Sequence, residues 1–251
     1  MGQINATSNG SAAISKSSVS RAGDVLRAVH VGLASQDEKY WTAYQTLVAY
    51  RSEHQYPLIK ATSGLRSNVG AELCNIEVSQ RLKRIPTILD KLQREPGMDL
   101  SRMQDFGGCR AVLNNVDEVR RVQERVLRTH KRRNGTDAKF KDYITTPRES
   151  GYRGVHVVVT YDGRLIEVQL RTKVMHEWAI AVERLSGRTG INLKSSDGPS
   201  ELHEFFTHAS ILMALDEAGE SVDADLISRM TALRETAVLY LSKGTRSKEG
   251  D

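Results

Sequence analysis

The segment 155–171 constrains this chain more than any other. It contains two runs rich in Val, Ile and Leu, 155–161 and 164–171, separated by Asp162-Gly163. That dipeptide suits a two-residue type I′ hairpin loop, where both central residues need positive φ. A two-residue loop leaves one register: Tyr161 opposite Arg164, Val158 opposite Glu167 and His156 opposite Gln169. Alternation then puts Val155, Val157, Val159, Ile166, Val168 and Leu170 on one face, apolar throughout and therefore core. His156, Thr160, Glu167, Gln169 and Arg171 share the other face. A polar sheet face open to water is common. A histidine, a carboxylate, an amide and a guanidinium in one cluster are equally a set of groups able to hold anions and a cation.

The flanking segments have helical periodicity. Arg21 to Arg51 carries Val25, Val29, Leu33, Tyr40, Tyr44, Leu47 and Val48 at helical spacing, and the chain breaks at His54–Leu58, where Pro57 stands. A second helical pattern covers Ile59 to Val78. Arg81 to Glu95 reads as a loop and then a helix, with Pro86 in its first turn and Ile88, Leu89 and Leu92 inward. Cys109 to Leu113 reads as a strand ending at Asn114-Asn115. Val116 to Arg128 and Val174 to Leu185 read as amphipathic helices, and two more follow a Gly/Ser-rich break at 187–200, at about 201–218 and 222–241. Helices, then a mixed segment with a hairpin, then helices predict an α+β fold. Residues 1–20 are expected to be a flexible tail and 21–64 N-terminal helices.

No apolar run approaches the ~18 residues of a membrane span, and the N-terminal stretch has no apolar signal core. Two cysteines, Cys74 and Cys109, make neither a disulfide framework nor a zinc site, so a reducing cytoplasm is expected. The formal charge is +5, a mild bias toward anionic partners. It is unevenly spread. Between Arg120 and Lys141 stand nine basic and two acidic residues, a local net of +7 that exceeds the whole chain's. Arg128, Lys131, Arg132 and Arg133 in this stretch are candidate RNA-phosphate contacts; a solvated helix face is the alternative.

Three further groups carry chemistry. Asp105 precedes Phe106-Gly107-Gly108-Cys109-Arg110. Strict alternation would separate Asp105 from Arg110, and a bulge at the glycines would bring them to one side. Asp105 and Glu167 are hard oxygen ligands suited to Mg²⁺. Arg81, Lys83, Lys91 and Arg94 surround the N-terminus of a helix and could clamp a triphosphate or be a solvated edge. Lys141 to Gly154 is a turn-rich loop in which Tyr152 could stack on a base. Neither a Walker A loop nor a GxGxxG sequence is present.

The order of these groups resembles the synthetase domain of RelA/SpoT nucleotide pyrophosphokinases. The matching stretches are Arg81-Leu-Lys83…Thr87-Ile-Leu-Asp-Lys91, Asp105-Phe-Gly-Gly-Cys-Arg110, Lys141-Asp-Tyr-Ile…Pro147…Gly151-Tyr152-Arg-Gly-Val-His156, Ile166-Glu167-Val-Gln169-Leu-Arg171-Thr172, and Met175…Trp178-Ala179. The resemblance implies a nucleotidyltransferase-like mixed β-sheet core over 65–186, with 187–251 as a C-terminal helical extension. It implies transfer of the β,γ-pyrophosphate of ATP to a ribose 3′-hydroxyl with Mg²⁺ as cofactor. Asp105 and Glu167 would be catalytic and metal-binding, with Glu167 as ligand, base or both. Arg81, Lys83, Lys91 and Arg110 would bind ATP; Lys141, Tyr152, His156 and Gln169 would bind the acceptor. The family usually has Ser where Gly154 stands and His where Arg184 stands, which bears on acceptor contacts.

The chain has no His-Asp dipeptide of the kind used by the family's hydrolase domain, which implies a small, synthesis-only form. Two kinds of acceptor are then open. One is a guanosine or adenosine nucleotide, giving (p)ppGpp or ppApp. The other is the 3′-CCA end of tRNA, the target of a toxin branch that blocks translation and has antitoxin partners. Ser20-Arg21-Ala22-Gly23 and His54-Gln-Tyr56-Pro57-Leu58 resemble that branch, which with the basic stretch tips the reading toward tRNA. A non-catalytic RNA-binding module is the reading of another class; the intact Asp105 and Glu167 argue against it.

Overall fold

A computed structural model describes residues 14–74, 76–191, 193 and 199–246. Its elements in chain order are α1 (Lys16–His30), α2 (Glu38–Ser52), α3 (Gln55–Ala71), β1 (Val78–Leu82) and α4 (Ile85–Arg94). A 3-10 turn (Leu100–Arg102), β2 (Gly107–Leu113), α5 (Val116–Asn134), β3 (Lys139–Asp142) and β4 (Val155–Tyr161) follow. The last are β5 (Arg164–Thr172), α6 (Lys173–Thr189), α7 (Ser200–Ala218) and α8 (Ala224–Arg246). The strands form one mixed sheet in the order β1-β2-β5-β4-β3. β2 and β5 run parallel; the other neighbours are antiparallel.

The hairpin has the register expected from its loop, with Asp162 and Gly163 both at positive φ, 47° and 73°. Its apolar face joins Cys109, Ala111 and Leu113 of β2. Together they pack on Leu58, Ala61, Leu65 and Val69 of α3 and Val119, Val122 and Val126 of α5. A one-residue slip would turn the hairpin's six apolar side chains to the polar side, at roughly 1.5–3 kcal/mol each. α1, α2, α4 and the 3-10 turn enclose a second core; α6, α7 and α8 share a third, built on Trp178, Val182, Leu202 and Phe206. Asn115 caps α5 by accepting from the Glu118 amide, and Glu118 reaches back to the Asn114 amide. This reciprocal pairing satisfies one donor that the helix leaves open and the amide of the residue before its cap.

Several expected boundaries move. Residues 16–20 are the first turn of α1, capped by Ser15, so the tail does not extend to 20; residues 1–13 lie outside the described residues. Arg21 to Arg51 is two helices, with Gly32 at φ +77° between them, and Leu33 is exposed rather than inward. Pro57 sits in the first turn of α3, where its missing N–H costs nothing, so it starts a helix instead of breaking one. α3 stops at Ala71, and the expected helix to Val78 gives way to β1. α5 runs to Asn134, past the expected Arg128, and ends on Gly135 at φ +70°. β3 was not expected as a strand. Part of the 187–200 break lies outside the described residues. Among those described, no helix is long and apolar enough to cross a membrane.

Candidate active site

The polar face of the sheet collects most of the candidates. Residue pairing sets Glu167 beside Gly108 on β2 and Val158 on β4, and Gln169 beside Arg110 and His156. Lys141 on β3 lies opposite His156, so it is on a strand rather than in a loop. Both carboxylate oxygens of Glu167 are taken: Oε1 accepts from His156 Nδ1 at 2.9 Å and Oε2 from Gln169 Nε2 at 2.6 Å. Burial alone would raise this carboxyl. The hydrogen bond from His156, the Gln169 bond and the Lys91 ammonium outweigh it and hold the group at about 2. Glu167 is therefore a fixed anion throughout the neutral range.

Asp105 reaches the same face by another route. β2 pairs without interruption with β1 from Gly107 to Ala111 and with β5 from Gly107 to Leu113, so the expected bulge is absent. Asp105 lies before the strand begins, where alternation does not apply. Its Oδ2 accepts from Lys83 Nζ at 2.7 Å, and its Oδ1 lies 3.2 Å from Lys91 Nζ. Burial would raise this carboxyl too; the two ammoniums outweigh burial and hold it below the usual carboxylate range. Arg110 points from β2 toward His176 on α6, with Nη1 3.4 Å from His176 Nδ1. The Arg110 Nε is buried with no hydrogen-bond partner among the described residues. Burial, then the neighbouring charges of Arg171 and Arg81, weaken the hold of Arg110 on its proton. Arg81 on β1 is exposed.

Gly107 and Gly108 are followed by Cys109 on the core side of β2. Burial pushes its thiol up to about 12, far from a nucleophile's range. Cys109→Ala is expected to cost about 1 kcal/mol of stability and to leave turnover per folded molecule unchanged. Lost turnover with an unchanged melting curve would contradict this inert role.

Tyr152 is not a free-standing platform. Its ring is half-buried, edge-on to Tyr143 at 5.7 Å and His156 at 5.5 Å, and its hydroxyl lies 2.5 Å from His156 Nε2. Arg148 and Arg171 place their guanidiniums 5.5 and 4.8 Å from its ring centre. Gly154 explains the departure from Ser. Its φ is +148°, and a Cβ there would stand 3.1 Å from both the Tyr152 hydroxyl and Arg171 Cγ. The loop 148–154 is clamped by α7: Thr207 Oγ1 donates to Glu149 O at 3.0 Å and Ser210 Oγ to Gly151 O at 2.5 Å. Trp178 Nε1 donates to Phe206 O at 2.9 Å, fastening α6 to the same helix. Arg171 lies on the polar face where alternation put it; sequence reasoning missed Tyr143 and His176 as members of this cluster. Tyr143 stands inside a family-like stretch, but pattern alone gave no sign of its contacts.

The basic stretch lies elsewhere. α5 packs on the apolar face of the sheet, so Arg128, Lys131, Arg132 and Arg133 are on the opposite side from Glu167. Several of its charges are used internally. Arg120 pairs with Asp142, Arg125 with Glu72 and Lys131 with Asp137. Arg133 lies 3.5 Å over the Tyr161 ring and donates to Thr160 O. The two toxin-like segments are packing elements. Gly23 is pressed against Leu100, and His54 is buried and stacked 4.9 Å from Phe106.

This arrangement was compared with known proteins. The profile of the region found in RelA and SpoT proteins matches residues 80–184, the span that holds every group just described on the polar face. The GTP pyrophosphokinase YjbM of Bacillus subtilis is 32% identical over 170 residues, covering 62% of this chain and 78% of the relative. The chain belongs to the RelA/SpoT family. It is a pyrophosphokinase of the RelA/SpoT type. Among solved structures, small alarmone synthetase 1 of Bacillus subtilis bound to its product pppGpp matches with a TM-score of 0.54 and 28% identity. That match covers 72% of this chain and 95% of the other. The guanosine-3′,5′-bis(diphosphate) 3′-pyrophosphohydrolase of Aquifex aeolicus is 36% identical over 104 residues, 41% of this RelA/SpoT chain and only 14% of that larger protein.

Proposed function

We propose that this enzyme transfers the β,γ-pyrophosphate of ATP to the 3′-hydroxyl of a guanosine di- or triphosphate, with Mg²⁺. The observation that carries the reading is the meeting of two anchored carboxylates, Asp105 and Glu167, with Lys83, Lys91, Arg81 and Arg110 on one sheet face. Phosphoryl-type transfer needs positioning and charge neutralisation more than covalent chemistry. Mg²⁺ is held by one or two carboxylates and keeps waters and substrate phosphates as its other ligands. The Asp105–Glu167 pair fits that donor set, and the charge of Glu167 is felt at Asp105. Bound there, the ion would neutralise charge on the polyphosphate. Lys83 and Lys91 hold Asp105 and would turn toward the phosphates of a bound nucleotide; Arg110 and Arg81 line the same pocket. With its carboxyl near 2, Glu167 serves as an anionic ligand rather than as a proton acceptor. Lys141, His156, Gln169 and Tyr152 would hold the acceptor, with Tyr143 and Arg148 at the rim.

The tRNA 3′ end is a second acceptor reading, which would make the enzyme a translation-blocking toxin with an antitoxin partner. Exposed Arg128 and Arg132 on α5 favour it, as do exposed Lys139 and Lys141 on the edge strand β3. Against it, an RNA would have to pass round the β3 edge to touch both faces of the sheet. Incubation with γ-labelled ATP and GDP, GTP, AMP or bulk tRNA decides between them. The guanosine nucleotides should be labelled most efficiently. The clean variant for the RNA reading is Arg128→Gln with Arg132→Gln, because Arg133 is part of the packing on Tyr161. This pair should leave nucleotide labelling unchanged. Dominant tRNA labelling, weakened in the variant with a salt-dependence slope lower by about one unit per lost contact, would reverse the choice.

A further inference from the structure

Five side chains of the polar face form a closed ring of hydrogen bonds with a fixed direction. Arg171 Nε donates to Tyr152 Oη at 3.0 Å, and Tyr152 Oη lies 2.5 Å from His156 Nε2. His156 Nδ1 reaches Glu167 Oε1 at 2.9 Å. On the other side Arg171 Nη2 donates to Gln169 Oε1 at 3.0 Å, and Gln169 Nε2 donates to Glu167 Oε2 at 2.6 Å. A guanidinium can only donate and a carboxylate can only accept. With His156 neutral, one arrangement therefore satisfies the ring with one proton per bond. The Tyr152 hydroxyl gives its proton to His156 Nε2, and His156 gives its Nδ1 proton to Glu167. A histidine with Nε2 protonated would leave the Tyr152 proton without an acceptor inside the ring. Both chains begin at Arg171, which is 8% exposed, and both end on Glu167.

We propose that Arg171 is a positioning residue for pyrophosphate transfer, acting as the common donor that fixes both oxygens of Glu167 through Tyr152–His156 and through Gln169. The proposal rests on the reading of Glu167 as a catalytic carboxylate given above. It also gives Gly154 a reason, since a side chain there would press on Tyr152 and Arg171 at the point where the ring closes. Lysine cannot replace this arginine. Its single ammonium keeps the charge, but it lacks the planar fork whose two edges address Tyr152 Oη and Gln169 Oε1 together. An arginine serving only as a charge near the phosphates would be replaced well by lysine.

The test uses the full chain with Arg171→Met, Arg171→Lys and Tyr152→Phe, and with Glu167→Gln as reference. Two readouts are taken: kcat and KM for ATP-driven labelling of the preferred acceptor, and the ¹⁵N signals of the His156 ring. The parent should show His156 protonated on Nδ1. Arg171→Met and Arg171→Lys should both lower kcat about 10–100-fold, the range for removing an outer partner of a metal-site ligand. KM for ATP should move less than kcat, and the His156 tautomer should become mixed. Tyr152→Phe removes one hydroxyl from an otherwise unchanged ring system, so it reports on the tautomer even if Arg171 variants misfold. Full activity in Arg171→Lys, or a His156 tautomer unchanged in all three variants, overturns the proposal. If Glu167→Gln stays active, the site reading itself fails and the positioning role falls with it. An inactive Glu167→Gln beside fully active Arg171 variants leaves the site reading in place and removes only this role.

Discussion

Glu167→Gln is expected to lower pyrophosphate transfer by at least roughly 10²–10³-fold, the cost of removing one preorganised electrostatic contact. The change is small in volume and large in chemistry. A glutamine amide can still accept from His156 through its oxygen, but its NH₂ then faces Gln169 Nε2, donor against donor, across a contact that is now 2.6 Å. The anion that would ligate the metal is gone as well. Asp105→Asn should lose as much by a different route, because Lys83 and Lys91 are then left facing each other without the shared carboxylate. Asp105→Asn should also cost stability, since a half-buried ion pair loses one partner. Thermal melts on the same samples separate the two effects. Retention of activity within tenfold of the parent in both variants, with both folded, would remove these acids from the reaction.

The hairpin was legible because its physics is local. Asp162-Gly163 sets the loop, the loop sets the register, and the register sorts His156, Glu167 and Gln169 onto one face before any partner is known. The α+β class followed from the order of periodic segments, and the RelA/SpoT resemblance followed from the spacing of motifs across them. The same locality accounts for the errors. Whether Pro57 breaks or begins a helix depends on where the preceding helix ends, and His54 decides that by burying itself against Phe106, a residue 52 positions away. β1 and β3 are the two edges of the sheet, five and four residues long. Neither has a buried alternation strong enough to stand out from its flanks, so each exists because β2 or β4 offers it a ladder.

Alternation also misled at Asp105. The rule that separated it from Arg110 holds only inside a strand, and β2 starts two residues later. The basic stretch is divided for a related reason. Nine cations close together in sequence read as one surface, but α5 turns Arg120 and Arg125 onto acidic partners and Arg133 onto an aromatic ring. Charge density along a chain does not say which face of a sheet will carry it. The covering of the loop 148–154 was equally invisible, because the helix that clamps it lies more than fifty residues further along the chain.

That clamp gives the largest expected effect on stability. Gly151→Ala is expected to destabilise the enzyme by about 2–5 kcal/mol, combining ~1–2 kcal/mol for a Cβ in the left-handed region with ~1–3 kcal/mol for crowding. The φ of Gly151 is +83°, and a Cβ there would stand 3.0 Å from Phe206 O, 3.0 Å from Thr207 Cα and 3.1 Å from Ser210 Cβ. Two of these are backbone atoms of α7, so no side-chain rotation relieves the contact. Either the whole molecule loses stability, or the loop lifts from α7, breaks the Ser210–Gly151 hydrogen bond and carries Tyr152 away from His156. A shift of roughly 2–4 °C per kcal/mol for a chain of this size makes the first outcome easy to read in a melting curve. The second raises the acceptor KM while leaving the ATP KM near that of the parent. Gly135→Ala is the control: its φ is +70°, but nothing lies within 4 Å of the added carbon, so it pays only for the backbone. If the two variants melt together and the acceptor KM is unchanged in both, α7 does not hold the loop 148–154 in place.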